Sequence, residues 1–256
     1  MALLEIAGLT KKFFGLVAVN NVDIQIEEGE LVALIGPNGS GKTTLFNCLT
    51  GFLKPDGGKI YYTGRDITSM PAHKIALLGI SRTFQLARTF PKLTLLDNLL
   101  LAVQQHQEEN FVGRFLLTKK VRQFEQEAIE RAEEILDFVE LEHFRDAPAE
   151  SLGYGQLKLF IFGMALMPDP DLILLDEPSA ATDATMVSKM KERMVDLNEA
   201  GKTVFFVEHD MKVVMDVAQR IVVLDHGHKI AEGTPDVIRN DERVIEAYFG
   251  RRSEIR

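Results

Sequence analysis

The 256-residue sequence has one cysteine, Cys48. A single thiol excludes an internal disulfide and any cysteine-rich metal centre. Cys48 lies in the apolar stretch "TLFNCLTGF" and reads as a small buried hydrophobe rather than a reactive group. Long hydrophobic runs are missing too: "LVALIG" and "DLILLDEP" fall far short of the ~20 apolar residues a spanning helix needs. The opening "MALLEIAGLTKKFF" alternates and carries no basic leader, so a signal peptide is not expected. The expectation is a cytosolic protein that reaches any membrane by docking. Positive charge is scarce, with 29 Lys and Arg against 38 Asp and Glu for a net charge of −9. That argues against a broad nucleic-acid surface, though a nucleotide pocket needs only a few local donors. No tandem repeat and no Pro/Ser-rich linker interrupts the chain.

What is present reads as one large domain or one domain with a sizeable insertion. The hydrophobic fraction of 46% and charged fraction of 26% are ordinary for a soluble globular chain. The N-terminal third is β-rich. "LLEIAGL" and "VAVNNVDIQI" alternate with period two, "LVALI" is a short buried strand, and "GKIYY" and "GISRTFQ" suggest two more. From about 95 to 166 the pattern turns helical, with apolar residues every three or four positions and a charged, solvated face in "KKVRQFEQEAIERAEEILDFVELEHF". Within it, "QQHQEENFVGRFLL" reads as a loop with a short docking element. A βα rhythm then returns in "DLILLDEP", a helix near 184–199, "TVFFVEH", "MKVVMDVAQ" and "IVVLD". The sum is an α/β core built on a parallel sheet and interrupted by a helical insertion.

Two motifs carry chemistry. "GPNGSGKT", residues 36–43, matches the phosphate-binding loop G-x-x-x-x-G-K-[ST], with a strand before it and a helix after it. The glycines let backbone N–H groups come close to phosphate, and the helix N-terminus adds positive potential. Lys42 is expected on the β- and γ-phosphates and the Thr43 hydroxyl on Mg²⁺. "LILLDEP" ends a second apolar strand. Asp176 at its tip suits a magnesium site reached through water, and Glu177 is the candidate to polarise an attacking water. Two carboxylates after an oily strand mean little alone; with a phosphate loop in the same chain they point to phosphoryl chemistry.

In this order the motifs resemble those of the ATP-binding-cassette ATPases over nearly the whole chain. The resemblance implies a P-loop core with a parallel sheet, an N-terminal antiparallel β subdomain and an inserted helical subdomain. The core would span about 1–94 and 168–256, and the helical part about 95–167. It implies ATP and Mg²⁺ as ligands, held by Gly36, Pro37, Asn38, Gly39, Ser40, Gly41, Lys42, Thr43 and Thr44. Phe14 matches the aromatic that stacks on adenine, which leaves Phe13 to the core. Gln85 in "RTFQ" matches the glutamine that meets the metal and the attacking water. "LGYGQ" matches the family signature, which places Gly153, Tyr154, Gly155 and Gln156 against a partner's nucleotide. Asp183 closes the segment "SAATD", the family's D-loop. His209 in "VEHD" matches the switch histidine that senses the γ-phosphate beside Glu177.

Longer stretches, including "GPNGSGKTTLFNCLTGFLKPDGGKI" and "AEGTPDVIRNDERVIEAYFG", are similar to cassettes of branched-chain amino acid importers. The segment 104–117 matches the longer of that family's two paired cassette types. Such a resemblance implies a second, different cassette as partner, two permease subunits and an external binding protein, with the cassette on the inner face of the membrane. A lipopolysaccharide-export cassette shares much of the ending and stays open, as does a cassette regulator or repair ATPase without a permease. Repair cassettes carry long coiled-coil or zinc insertions, and none is present here.

The signature departs from the family in one letter. Its usual serine is Gly153, which removes a hydroxyl from the γ-phosphate of the facing site but keeps the backbone N–H and remains an acceptable helix N-cap. The helix that follows is oily: Ile161 and Met164 stand where the family has Glu and Arg, and Lys158 is the only charge between Gln156 and Asp169. That surface is either packed inside the helical subdomain or spent on an enlarged partner contact. The implied machine has one good half-site and one weak one.

Overall fold

The computed structural model describes residues 2–83, 89–103, 119–180 and 182–249. Two long strands open it, β1 (Ala2–Phe13) and β2 (Leu16–Glu27), paired antiparallel across a two-residue turn. They bury Leu4, Ile6 and Leu9 from β1 and Val22, Ile24 and Ile26 from β2, the expected strand alternation. Phe13 does not join them. At 39% exposed it hangs at the hairpin end beneath the Lys11 ammonium, 5.5 Å from its ring centroid, so its placement in the core is corrected. The all-buried β3 (Leu31–Ile35) leads into helix α1 (Lys42–Leu49). Next come β4 (Gly57–Tyr62), the short β5 (Arg65–Asp66), α2 (Ala72–Ala76) and β6 (Ile80–Arg82).

Among the described residues three helices follow, α3 (Leu95–Ala102), α4 (Lys119–Phe138) and α5 (Tyr154–Leu166). Thr94 caps α3 by accepting from Asp97 N at 3.0 Å. Two 3₁₀ turns, Glu142–Phe144 and Ala149–Ser151, break the helical run between α4 and α5. Then β7 (Leu172–Asp176), α6 (Ala184–Glu199), β8 (Thr203–Val207), α7 (Met211–Val217) and β9 (Arg220–Asp225) restore the βα alternation. The chain closes with β10 (His228–Gly233), α8 (Pro235–Arg239) and α9 (Glu242–Phe249), which the rhythm in the sequence does not anticipate.

The strands form two sheets: an antiparallel one ordered β2-β1-β4-β5 and a second ordered β10-β9-β3-β8-β7-β6. The second is parallel except for β10, which reverses against β9. Its strands β3, β7 and β8 are buried at every residue because both faces are covered. On one face Val32, Leu34, Leu174 and Phe205 pack with Leu45 and Phe46 of α1 and the antiparallel sheet. On the other, Ala33, Ile35, Ile173 and Phe206 pack with Leu99, Ala132, Phe160 and Met194 of the helices in one continuous core.

That core takes up most of the oily helix. Leu159, Phe160, Phe162, Ala165 and Leu166 of α5 are buried within the chain. Phe162 stacks on Phe138 of α4 with centroids 6.5 Å apart. Ile161 and Met164 are half-buried. Met164, in the place of the family's Arg, packs against that core, whereas Ile161, in the place of the Glu, is half-buried outside it. The segment 104–117, assigned from its sequence to a loop with a docking element, lies outside the described residues.

Candidate phosphate-binding and hydrolysis site

Four strand ends of the parallel sheet deliver the site residues to one edge, the carboxyl edge where open α/β sheets bind ligands. From β3 the chain enters the phosphate loop. Gly36 has φ 149°, and a Cβ there would sit 2.0 Å from Leu224 O; at Gly41, with φ 107°, it would sit 2.4 Å from Ala18 O. Only glycine fits at either position, so the loop is held tight between β9 and the start of β2. Gly41 is also the N-cap of α1, and no side chain among the described residues caps that end. The first-turn amides at Lys42, Thr43 and Thr44 are therefore offered to an anion. Pro37, Asn38 and Gly39 form the outer turn, closed by Ser40 N donating to Pro37 O at 3.1 Å.

Lys42 is 6% exposed, and its ammonium donates to Gly36 O at 2.7 Å, Pro37 O at 2.9 Å and Ser40 Oγ at 3.4 Å. Burial pulls its pKa below the ordinary lysine value, while Glu177 and Asp176 act in the opposite direction. Both carboxylates therefore share the electrostatic environment of the loop lysine although they lie more than 130 residues further along the chain.

Asp176 ends β7. Its Oδ2 accepts from Arg82 of β6 at 2.9 Å, and its Oδ1 is buried without a hydrogen-bond partner among the described residues. Arg82 also donates to Asn47 Oδ1 and Thr50 Oγ1 of the α1 region, at 2.8 and 3.1 Å. Thr83 Oγ1 accepts from Asp176 N at 3.2 Å. Neither Arg82 nor Thr83 emerges from sequence reasoning. The one available signal is a guanidinium at the end of an apolar strand, where a partner has to exist.

Glu177 follows at φ 51°, a left-handed conformation that costs a non-glycine residue about 1 kcal/mol or more and clusters at functional sites. Three backbone contacts hold it there. Glu177 N donates to Val207 O at 2.9 Å, and Glu177 O accepts from Ala180 N at 3.2 Å and from Lys158 Nζ at 3.3 Å. Its carboxylate Oε1 lies 2.6 Å from His209 Nε2. With Glu177 ionised, the imidazole N–H is the donor. The loop lysine, Asp176, Glu177 and His209 thus converge at the ends of β3, β7 and β8.

The donor set fits a magnesium ion that arrives with phosphate. Among the described residues no group of three or more His, Cys, Asp or Glu could hold a metal alone. The exposed Thr43 hydroxyl and the unpartnered Asp176 Oδ1 are hard oxygens of the kind Mg²⁺ takes alongside phosphate and water. Gln85, expected at the same metal, lies outside the described residues.

The other expected residues lie at one hairpin turn and at the starts of two helices. Phe14 occupies the β1–β2 turn at φ 51°, fully exposed. Gly153 caps α5 with φ −65° and ψ 159°, and its N–H donates to Gln156 Oε1 at 3.0 Å. Tyr154 is exposed, and Gly155 packs on Met186 of α6. Asp183 caps α6, accepting from Thr185 N and Met186 N at 2.9 and 3.0 Å.

A family model described as ABC transporter matches residues 19–180, and a second, described as Branched-chain amino acid ATP-binding cassette transporter, matches residues 228–254. The high-affinity branched-chain amino acid transport ATP-binding protein BraF of Pseudomonas aeruginosa is 43% identical over 249 residues, which is 97% of this chain and 98% of that protein. Among solved structures, the ADP conformation of the ATP-binding cassette MJ1267 has a TM-score of 0.85 and 33% identity, covering 98% of this chain and 100% of that one. A dimeric post-hydrolysis state of the cassette MJ0796, bound to ADP and Pi, has a TM-score of 0.75 and 29% identity, covering 91% and 98%.

Proposed function

The chain belongs to the ABC transporter family of ATP-binding proteins, and on that premise we propose that it is the ATP-hydrolysing subunit of an importer for branched-chain or closely related amino acids. The observation that carries the reading is the meeting of Lys42, Asp176, Glu177 and His209 at one sheet edge, with His209 Nε2 and Glu177 Oε1 2.6 Å apart. The match at 228–254 supports the amino-acid cargo over lipopolysaccharide export.

The chemistry follows from the contacts. Lys42 exchanges its loop carbonyls for β- and γ-phosphate oxygens, and the free amides at the start of α1 complete the cradle. Glu177 accepts hydrogen-bonding from the attacking water and polarises it, while His209 fixes the carboxylate and meets the γ-phosphate. Phe14 stacks on the adenine. Mg²⁺ bound with the nucleotide neutralises phosphate charge, and Thr43, Asp176 through water, and Gln85 would hold it.

The assembly we infer is a head-to-tail dimer with a different cassette, seated beneath two permease subunits and served by an external binding protein. Gly153, Tyr154, Gly155 and Gln156 then face the partner's ATP, and Asp183 belongs to the loop between the two sites. The core of about 1–94 and 168–256 binds nucleotide, and the part at about 95–167 meets the permease on the inner face of the membrane. No helix among the described residues is long and apolar enough to cross a membrane.

Single-turnover hydrolysis tests this. Glu177→Gln retains ATP binding and slows the chemical step by orders of magnitude, whereas Lys42→Ala weakens ATP binding itself, measured by calorimetry. A Glu177→Gln rate equal to wild type at saturating ATP rejects the assignment. The expected result for the isolated chain is a mostly monomeric protein with low turnover that its partner cassette raises; high activity scaling with the square of concentration would point to a homodimer instead.

A further inference from the structure

Glu208 is a carboxylate where the fold has no need of one. It follows the all-buried strand β8 and is itself 2% exposed. Among the described residues no cation pairs with it. Burying an unpaired carboxylate costs several kcal/mol unless hydrogen bonds replace the lost water. Here they do, and all of them come from two pieces of the site. Oε1 accepts from Ser179 N at 2.8 Å and from Ser179 Oγ at 2.5 Å. Oε2 accepts from His209 N at 3.0 Å.

We propose that Glu208 is a positioning residue of the hydrolytic site: its buried carboxylate joins the main chain of His209 to Ser179, so that the serine and the histidine move as one unit. Three observations give that link a direction. His209 is the residue whose imidazole meets Glu177. Ser179 is two residues beyond Glu177, and it is 6% exposed, so this end of the loop is fixed inside the protein. The other end is fixed by Asp183 capping α6 through Met186 N, and Met186 lies against Gly155 of the α5 N-terminus. A displacement of Ser179 is thereby passed to Glu208, and through His209 N to the Glu177–His209 contact. A neutral side chain could fill the same space. Only a carboxylate offers acceptors on both oxygens, to the serine on one side and the histidine N–H on the other, with no donor of its own to misalign.

The inference rests on the reading of Glu177 and His209 as the hydrolytic pair, and its test separates the two. Glu208→Gln keeps the volume but sets an amide N–H toward either Ser179 or His209. Ser179→Ala removes one donor and leaves the carboxylate. The histidine ring signals of the full chain are recorded by NMR with isotope-labelled histidine, and the His209 signal is identified by its loss in His209→Ala. The expected result is a displaced His209 signal in both variants, with the double variant displaced no further than Glu208→Gln. In parallel, single-turnover hydrolysis falls about tenfold or more while ATP affinity stays within about twofold of wild type. A His209 signal that stays in place in folded variants overturns the proposal. So does a loss of ATP affinity and melting temperature in step with turnover, because that is the mark of a merely structural role. If Glu208→Gln does not fold, the same readings on Ser179→Ala decide. If Glu177→Gln leaves hydrolysis intact, the hydrolytic assignment fails, and the His209 signal still decides whether Glu208 holds Ser179 and His209 together.

Discussion

Replacing Arg82 with methionine is the most demanding test of how the site is built. The guanidinium lies 2.9 Å from Asp176 Oδ2, with side-chain exposures of only 6% and 3%. It is also the tie between β6 and the α1 region through Asn47 and Thr50. Methionine keeps much of the volume and removes every donor. Asp176 is then left as a buried carboxylate whose other oxygen is already unpartnered. Breaking a buried pair from one side costs about 3–5 kcal/mol, most of it the stranded charge rather than the lost attraction. With a urea slope of about 3 kcal/mol/M, the unfolding midpoint falls by about 1–1.7 M. Circular dichroism during urea titration reads it. A second arm repeats the titration with saturating Mg²⁺ and ATP. A cation beside Asp176 compensates the stranded charge, so the deficit shrinks and the variant gains more from nucleotide than wild type does. Arg82→Lys keeps a charge without the planar fork and falls between the two. A midpoint within about 0.3 M of wild type would refute the reasoning, and so would a deficit of equal size with and without nucleotide.

Gly153→Ser is sterically open, since the backbone is at φ −65° and the nearest atom to a new Cβ is Gln156 Oε1 at 3.5 Å. It changes stability by only a few tenths of a kcal/mol but strengthens ATP-driven association with the partner cassette by about 1–2 kcal/mol, roughly five- to thirtyfold. A gain that survives removal of the partner's own loop lysine places the effect in the wrong site. The Cys48 thiol is pushed up to about 11 by burial, so at pH 8 only about one thiol in a thousand is ionised. A thiol reagent therefore labels the unfolded chain and spares the native one; fast stoichiometric labelling of native protein at pH 8 contradicts this. The hydrogen bond from Lys202, with help from Arg131, lowers the Asp169 pKa. Its small, solvent-screened contribution is present above the unfolded carboxylate pKa and is lost as pH falls through the lowered folded value. Asp169→Asn is accordingly destabilising at neutral pH, and the difference from wild type closes in acid titration; a gap that persists below the folded value excludes the charge as its source.

The sequence by itself determined the parts of this protein whose physics is local. A phosphate loop must have its glycines, lysine and threonine at set spacing, because neighbouring amides and one helix N-terminus do the binding, so "GPNGSGKT" could be read without a fold. The strands β3, β7 and β8 announce themselves as short apolar runs, and Asp176, Glu177 and His209 lie at or just past the ends of two of them. Tertiary structure alone decided which distant residues meet. Arg82 finds Asp176 across 94 positions because β6 pairs with β7, and nothing in the period of either strand specifies that neighbour. Glu208 and Ser179 meet in the same way, across β7 and β8. The oily face of α5 is legible as a need for burial, but only packing against α4 and the parallel sheet shows that it is met within the chain. Phe13 and Phe14 are adjacent aromatics, and a turn that leaves both outside the core is a property of the hairpin end. Local chemistry is written in spacing, whereas a buried charge is satisfied by whatever the sheet order brings beside it.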